Sequence, residues 1–154
     1  MGSPRRIRSS IVKPRQPWVK ERVDEELALI GEFGLRSKKE LYAAASILRK
    51  MRIAARSYLA LPTEDRASRE RELISRLHKL GLVEEGVSLD DVLSLDIRAI
   101  LNRRLQSIVL AKGLAKSAHE ARQLIIHGKV RVGGKAVKSP SRLVTRQEEA
   151  TVSL

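Results

Sequence analysis

The stretch GLAKSAHEARQLIIHGKVRVGGKAVKSPS, residues 113–141, decides the fold of this chain. Its first half places apolar residues at helical spacing, and its second half alternates apolar and polar residues on both sides of Gly133 and Gly134. A two-glycine loop between alternating segments predicts a β-hairpin, with Val130 opposite Val137. The stretch contains six bases and a single acid. A folded helix and hairpin with so little negative charge indicates a surface that meets a polyanion.

The composition of the 154 residues bounds the class of protein. Lys and Arg number 31 against 18 Asp and Glu, which gives a net charge of +13. Such an imbalance destabilises a lone compact chain and favours a polyanionic partner. The hydrophobic content of 42% supports a packed core, but aromatic residues make up only 3%, so we expect aliphatic side chains to build it. The lack of cysteine excludes disulfides and thiolate metal sites. No apolar run suits a membrane span or a secretory signal, so we expect a cytoplasmic protein without membrane contact.

The bases are concentrated in three blocks. Residues 1–22 hold seven bases and one acid, residues 49–58 hold four bases and no acid, and residues 99–146 hold eleven bases and one acid. Basic blocks around near-neutral scaffolding are typical of a nucleic-acid-binding protein. The first block is rich in proline and lacks apolar periodicity, so it is either a solvated tail or an arm that orders against phosphates. The charge of the rest of the chain favours the arm.

Helical periodicity dominates the chain between the arm and the hairpin. It predicts helices over residues 18–30, 37–59, 66–80, 96–113 and 117–128, with a short turn near residue 90. In the first of these, Val23, Leu27 and Ile30 lie at helical spacing. Capping boxes are predicted at Ser37–Glu40, Ser88–Asp91 and Ser117–Glu120. A further short strand is expected at residues 142–145.

These elements together predict an α+β fold. A basic extended arm over residues 1–20 is followed by a helical domain over residues 21–95. A module of two angled helices and a β-hairpin then occupies residues 96–154. The amides at the start of its second helix and the bases of its hairpin are complementary to phosphates at fixed spacing.

Arg49, Arg52 and Arg56 form a basic stripe along the second helix, with no carboxylate at helical spacing to pair with them. A charge stripe is usually a solvated face, but like charges at these spacings repel each other, which favours a binding surface. Because aromatic residues are so few, stacking on single-stranded bases is a poor fit. Recognition of structured RNA by its shape and backbone fits better.

Short motifs throughout the chain resemble a known family. The module contains RRLQ, GLAKS, HEAR, VRVGG and SPS, and the N-terminal part contains LIGEFGLR and RIAAR. The module resembles the S4 RNA-binding domain, and roughly residues 13–154 resemble the archaeal and eukaryotic branch of the small-subunit ribosomal protein family that gives this domain its name. The resemblance implies a primary binder of small-subunit ribosomal RNA that aids subunit assembly and contributes to translational accuracy. It also implies a position near the messenger entry path, beside the third and fifth small-subunit proteins.

The resemblance also implies which side chains face RNA. In the module these are Arg103, Arg104, Lys116, Ser117, His119, Arg122, Gln123, Lys129 and Arg131, and we add Lys112. The arm and the basic stripe are expected to contribute Arg5, Arg6, Arg8, Lys13, Arg15, Arg49, Arg52 and Arg56. On this interpretation the bases find their partner in another molecule and lack one within the chain. Arg122→Ala and Lys116→Ala should then weaken RNA binding and leave folding nearly intact.

Two alternatives stay open at this point. The first is an enzyme that carries an RNA-binding module, but there is no Gly-rich phosphate loop, and His78, His119 and His127 are scattered. We therefore expect no catalytic residues, no metal and no cofactor. The second is a standalone RNA-binding regulator, an RNA chaperone or a DNA-binding protein. Affinities for ribosomal RNA, other structured RNA and duplex DNA at matched salt would separate these.

Overall fold

The structure, a computed structural model, describes residues 11–84 and 86–154 and confirms the α+β fold. In chain order the elements are α1 Lys20–Glu32, α2 Lys38–Leu59, α3 Thr63–Lys79, α4 Leu89–Ser94, α5 Ile97–Asn102, α6 Leu105–Ala111, α7 Ala118–Ile126, β1 Arg131–Val132, β2 Lys135–Ala136, α8 Arg146–Ala150 and β3 Val152–Ser153. The strands form one antiparallel sheet in the order β2-β1-β3.

The core is aliphatic, because every buried apolar residue of the described chain is Leu, Ile, Val or Ala. It consists of three clusters. The module core packs α6 and α7 against the sheet with Leu105, Ile108, Val109, Ala121, Ile125, Val130, Val132, Val144 and Val152. The central cluster joins α2 to α5 with Leu35, Leu41, Ala44, Leu48, Ile100 and Leu101. The third cluster holds α3 and α4 on α2 with Ala55, Leu73, Leu77, Leu89 and Val92. Because α2 and α5 share the central cluster, the N-terminal helices and the beginning of the module pack against each other directly.

The hairpin forms where the two-glycine loop predicts it. Gly133 and Gly134 have φ values of 57° and 78°. Positive φ at both central residues belongs to a type I′ turn, whose twist matches that of the flanking strands. The Val137 amide donates to the Val130 carbonyl at 3.0 Å, which confirms the predicted pairing of these two residues.

The third strand of the sheet is β3, at the end of the chain, and not the segment at residues 142–145. The short helix α8 returns the chain to the sheet, and β3 then pairs with β1 on the side opposite β2. The predicted strand at residues 142–145 is reduced to one bridge, between Leu143 and Arg104.

The fourth predicted helix is wrong in one respect, because the chain breaks it into α5 and α6. Arg104, at the break, is extended, with φ −73° and ψ 144°. The Leu105 amide donates to the Arg142 carbonyl at 2.8 Å, and the Val144 amide donates to the Arg103 carbonyl at 2.9 Å. This long-range pairing takes the place of helical hydrogen bonds, so the chain turns at the two arginines.

Two of the predicted capping boxes begin helices as expected at the backbone. At Ser88, the amide donates to the Asp91 carboxylate at 3.0 Å and the capping box is complete. At Ser117, the hydroxyl accepts from the Glu120 amide at 3.2 Å. The Glu120 carboxylate, however, accepts from the Lys116 amide at 2.7 Å in place of the Ser117 amide. The lone acid of the quoted stretch therefore fixes the residue before the cap as well as the start of α7.

Candidate nucleic-acid interface

Helix α7 turns a polar face to solvent. Ile125 is fully buried in the module core, whereas His119 and Gln123 are exposed, as the 3.6-residue period of a helix requires. Lys116 and Ser117, just before the helix, are exposed as well. Four of the predicted contact residues are therefore accessible to a ligand around the start of α7.

The hairpin extends this polar face with further bases. Lys129, Arg131, Lys135 and Lys138 are exposed, and none has an ion-pair partner within the described part of the chain. Lys135 and Lys138 were not among the predicted contact residues. We term the exposed polar residues of α7 and the hairpin the module surface, made of Lys116, Ser117, His119, Gln123, Lys129, Arg131, Lys135 and Lys138.

Arg103 has partners within the chain. Its guanidinium donates to the Glu149 carboxylate at 2.7 Å and to the Val144 carbonyl at 3.0 Å. The side chain is only 14% exposed. Arg103 therefore ties the α5–α6 junction to the C-terminal segment of the module.

Arg104 and Arg122 share one carboxylate, that of Glu40 in α2. Both guanidinium groups lie 2.5 Å from its oxygens, and the Arg104 side chain is only 5% exposed. Burial raises the pKa of Glu40, but hydrogen bonds from Arg122 and Arg104 and their charges outweigh it, so the pKa lies below its usual value of 4.5. The predicted capping box at Ser37 is wrong for this reason, because the Glu40 side chain binds the two arginines and does not cap the helix.

Gln106 links Arg122 to the backbone of two other segments. Its side chain is buried, with the amide nitrogen donating to the carbonyls of Gly34 at 3.1 Å and Ala118 at 2.9 Å. Its oxygen accepts from Arg122 at 3.2 Å. Gly34 has a φ of +57°, and a Cβ there would lie 2.6 Å from the Ala118 Cβ. The loop between α1 and α2 therefore packs directly on the start of α7. We term Glu40, Arg104, Gln106 and Arg122 the buried network.

The expectation that the module's bases lack partners within the chain is therefore wrong for Arg103, Arg104 and Arg122. Periodicity places Arg122 on the flank of α7, but it could not show that Glu40, 82 residues away, lies opposite it. These three arginines hold the fold together in this geometry. Whether any of them also contacts RNA stays a prediction.

The basic stripe on α2 divides in a similar way. Arg49 and Arg56 are exposed, whereas Arg52 is half-buried and donates to the Leu95 carbonyl at 2.5 Å. Arg52 thus anchors the chain between α4 and α5 through a backbone carbonyl, whereas Arg49 and Arg56 stay exposed. Lys112 is exposed, with its ammonium group 3.3 Å from the Val152 carbonyl.

Lys13 and Arg15 of the arm meet Arg49 of α2 at one cleft of about 500 Å³, which we term the arm cleft. The Val12 amide donates to the Ser46 hydroxyl at 3.0 Å and anchors the arm on α2. Two basic blocks that are far apart in sequence therefore line the same cleft. The other predicted arm contacts lie outside the described residues: Arg5, Arg6 and Arg8.

Glu26, the carboxylate that lines the arm cleft, is neutralised by side chains of the chain itself. Glu26 is 6% exposed. It lies 3.4 Å from Arg22 and 2.9 Å from Lys38, and it accepts a hydrogen bond from the Tyr42 hydroxyl at 3.1 Å. Burial and the hydrogen bond to Glu26 raise the pKa of Tyr42, which keeps its hydroxyl a donor. The positive charge of Lys13, Arg15 and Arg49 is thus left uncompensated by this acid.

The sequence of this chain is similar to those of known proteins. Residues 103–149 match the S4 domain family. The chain is 51% identical over 152 residues to the small ribosomal subunit protein uS4 of Ignicoccus hospitalis, an alignment that covers 99% of this chain and 92% of that relative. The chain belongs to the uS4 family. It is also 47% identical over 152 residues to the uS4 protein of Hyperthermus butylicus, with 99% of this chain and 86% of the relative covered. For the uS4 protein of Saccharolobus islandicus the identity is 49% over 150 residues, with 97% and 83% covered.

Several residues that shape the site of this uS4 chain were missed at the sequence level. Gln106 offered a signal, because a polar residue between Leu105 and the other apolar residues of its helix indicates a buried hydrogen-bonding role. The sequence signal at Glu40 was misleading, because its spacing from Ser37 favours a helix cap over an ion pair with the two arginines. Nothing in the local sequence around Trp18 shows that its side chain is 91% exposed.

The described part of the uS4 chain has neither a metal-binding cluster nor a membrane-spanning helix. Across residues 11–84 and 86–154, no group of three or more His, Cys, Asp or Glu side chains is placed to hold a metal ion. Within those same ranges, no helix combines the length and the apolar character that crossing a bilayer requires.

Proposed function

We propose that this uS4 chain is a structural constituent of the small ribosomal subunit in the cytoplasm and binds its ribosomal RNA. The observation that carries the proposal is the division of the bases into two groups. Buried or half-buried arginines are matched by partners within the fold, whereas the exposed bases of the module surface and the arm cleft have no carboxylate partner among the described residues. Exposed cations on a fixed scaffold suit a phosphate backbone.

The two surfaces are held in a fixed relation, which supports recognition of a folded RNA. The central cluster joins α2, which carries Arg49, to α5. The buried network joins α2 to α7 through Glu40 and Arg122. Phosphate contacts on both surfaces would therefore have to match one spacing, which a structured RNA provides and a flexible single strand does not.

Family membership supports a more specific role. We propose that the chain binds ribosomal RNA early, aids assembly of the subunit and contributes to translational accuracy. Its expected place is near the messenger entry path, beside the third and fifth small-subunit proteins. The role is structural, because catalysis would need a constellation of acid, base or nucleophile in a cleft, and the described chain offers cations on open surfaces.

Salt dependence of RNA binding tests the proposal. Neutralising a phosphate releases counterions, so replacing one contacting base lowers the slope of log K against log salt by about 1. We expect Lys129→Ala and Arg131→Ala to weaken binding to small-subunit ribosomal RNA and to lower this slope. Arg69→Ala, which removes an exposed base from α3 outside both surfaces, is the matched control and should change neither quantity.

Competing nucleic acids decide between the proposal and its alternatives. At the same salt, ribosomal RNA should bind more tightly than an unrelated structured RNA or a duplex DNA of equal length. The chain should also sediment with small subunits. Equal affinity for duplex DNA would contradict the proposal, and equal affinity for any structured RNA would favour a standalone regulator or chaperone.

A further inference from the structure

We infer that Trp18 is a stacking platform for an unpaired nucleotide of the bound RNA. The inference rests on the proposed function and adds to it a contact of a different kind. Base stacking was a poor fit for the chain as a whole, because aromatic residues are so few. The structure assigns it to this one position.

Trp18 is the single tryptophan of the chain, and its side chain is 91% exposed. The other aromatic residues behave differently, since Phe33, Tyr42 and Tyr58 are all partly buried. An indole is the largest apolar side chain, and leaving it in water forgoes the stabilisation that burial would provide. Its exposure therefore indicates a surface that another molecule covers.

The backbone around Trp18 is held in place before any ligand arrives. Residues 17–18 form a turn immediately before α1. On its N-terminal side, the Arg22 guanidinium donates to the Gln16 carbonyl, and the Val12 amide donates to the Ser46 hydroxyl of α2. The indole is thus presented from an anchored turn, which reduces the ordering entropy that binding must offset.

The surroundings of Trp18 favour a nucleotide over a protein partner. Lys13, Arg15 and Lys20 are exposed and have no carboxylate partner among the residues described. The other large apolar side chains exposed on residues 11–20 are Val12, at 49%, and Val19, at 41%. A protein interface centres on a contiguous apolar patch with few charges. Trp18 lies on a segment that also carries Lys13, Arg15 and Lys20, with Glu21 as its one exposed acid. An aromatic face and cations on one segment match instead the two parts of a nucleotide, its base and its phosphate.

This chemistry requires that the nucleotide bound at Trp18 carries an unpaired base. A paired base inside a duplex has both faces covered by its neighbours, so it cannot stack on an indole at the side of the helix. A bulged, looped or terminal base offers a free face, and stacking on it tolerates any of the four bases. The cations would then bind the phosphates on either side of that base.

Because the chain has one tryptophan, emission excited at a wavelength that Tyr42 and Tyr58 do not absorb reports on this site alone. We expect archaeal small-subunit ribosomal RNA to quench the emission of the full chain on binding. A fully paired RNA duplex of similar length should bind through the exposed bases and leave the emission nearly unchanged. Quenching by the perfect duplex equal to that by ribosomal RNA would overturn the inference.

Affinity measurements on two variants separate stacking from charge. Trp18→Leu should weaken binding to ribosomal RNA about tenfold, equivalent to about 1.4 kcal/mol, without altering the slope against salt. Trp18→Phe, which keeps an aromatic face, should recover most of the loss. Arg15→Ala should instead lower the slope, because it removes a cation. An unchanged affinity for Trp18→Leu would refute stacking.

The outcomes also distinguish this inference from the proposed function. If the RNA binds tightly but neither quenches Trp18 nor depends on it, stacking fails and the proposed function stands. If the emission instead changes only when other small-subunit proteins are added, Trp18 contacts a protein and the inference is wrong. Should ribosomal RNA not bind the full chain at all, the proposed function fails, and the stacking inference fails with it.

Discussion

Replacing Glu40 by Gln tests the buried network directly. The carboxylate neutralises Arg104 and Arg122, whose side chains are only 5% and 16% exposed. The amide of Gln keeps the shape and one acceptor oxygen but removes the charge, so two guanidinium groups would remain buried with no counter-charge. Uncompensated buried charge is among the most destabilising changes in a folded protein.

The size of the effect follows from this burial. Removing one partner of a fully buried ion pair costs about 3–5 kcal/mol. The Glu40 side chain is 20% exposed, so solvent compensates in part, and we expect a loss of about 2–3 kcal/mol for Glu40→Gln. For a chain of this length such a loss lowers the Tm by roughly 5–10 °C.

The control is Glu32→Gln, which breaks the ion pair between Glu32 and Arg98. The Arg98 nitrogen and the Glu32 oxygen of that pair are 2.7 Å apart, but the side chains of Glu32 and Arg98 are 46% and 52% exposed. A pair in solvent contributes about 0–1 kcal/mol, so this variant should melt close to the parent chain. Urea unfolding and thermal melting of the three proteins at one salt concentration measure the difference. If Glu40→Gln loses no more stability than Glu32→Gln, the structural importance assigned to the buried network is refuted.

The pH dependence of stability is a second, independent test of the contribution of Glu40. Because the pKa of Glu40 lies below its usual value of 4.5 in the folded chain, its ionised form is favoured by folding. The stability that it contributes is fully present above about pH 4.5 and is lost as the pH falls through the folded pKa. The difference between the parent chain and Glu40→Gln should therefore be constant near neutral pH and shrink in acid. Other carboxylates with lowered pKa, such as Asp91 and Glu148, are common to both proteins and cancel.

Five further substitutions, two of them controls, test three separate contacts. Gly34→Ala should cost more than about 2 kcal/mol of stability, because it adds a clash at a residue with positive φ. Gly31→Ala, with open space around it inside α1, should instead stabilise the chain by about 0.5–1 kcal/mol. Denaturant midpoints of the two variants measure the difference. Arg52→Ala should lower the stability of the chain by about 1–2 kcal/mol, because it removes the hydrogen bond to Leu95. Arg56→Ala should leave the Tm unchanged and reduce only RNA affinity. Equal Tm values for the two variants would contradict the division of the stripe. Thr145→Ala should lower the stability of the chain by about 1 kcal/mol, because it removes the cap of α8. A loss of less than a few tenths of a kcal/mol would show that this cap is dispensable.

Elements with local signals could be predicted from the sequence. The second helix was expected over residues 37–59 and spans Lys38–Leu59, and the hairpin turns at the predicted glycines. The break between α5 and α6 could not be predicted in this way, because it depends on pairing with residues 142–144, far along the chain. The strand β3 has two residues, which is too short for any periodicity to appear.

The exposed half of the site was easier to predict than its buried half. Lys116 and Lys129 were expected at the surface and lie there. A helical pattern of few residues, however, does not fix the rotation of the helix. Leu27 lies at helical spacing with Val23 and Ile30 but is 54% exposed, whereas Glu26 is 6% exposed. Arg22, one turn earlier in α1, and Lys38, at the start of α2, neutralise Glu26 and make its burial favourable. A partner from another helix, such as Lys38, is not visible in the periodicity of α1.

The position of Glu40 limits how portable the S4 module of this chain is. The stretch that matches the S4 domain begins at residue 103, and both arginines bound by Glu40 lie within it, whereas Glu40 lies in α2. A graft of residues 96–154 onto another scaffold would carry Arg104 and Arg122 along and leave their counter-ion behind. An engineer who transplants this module must therefore move α2 with it or redesign Arg104 for a neutral environment.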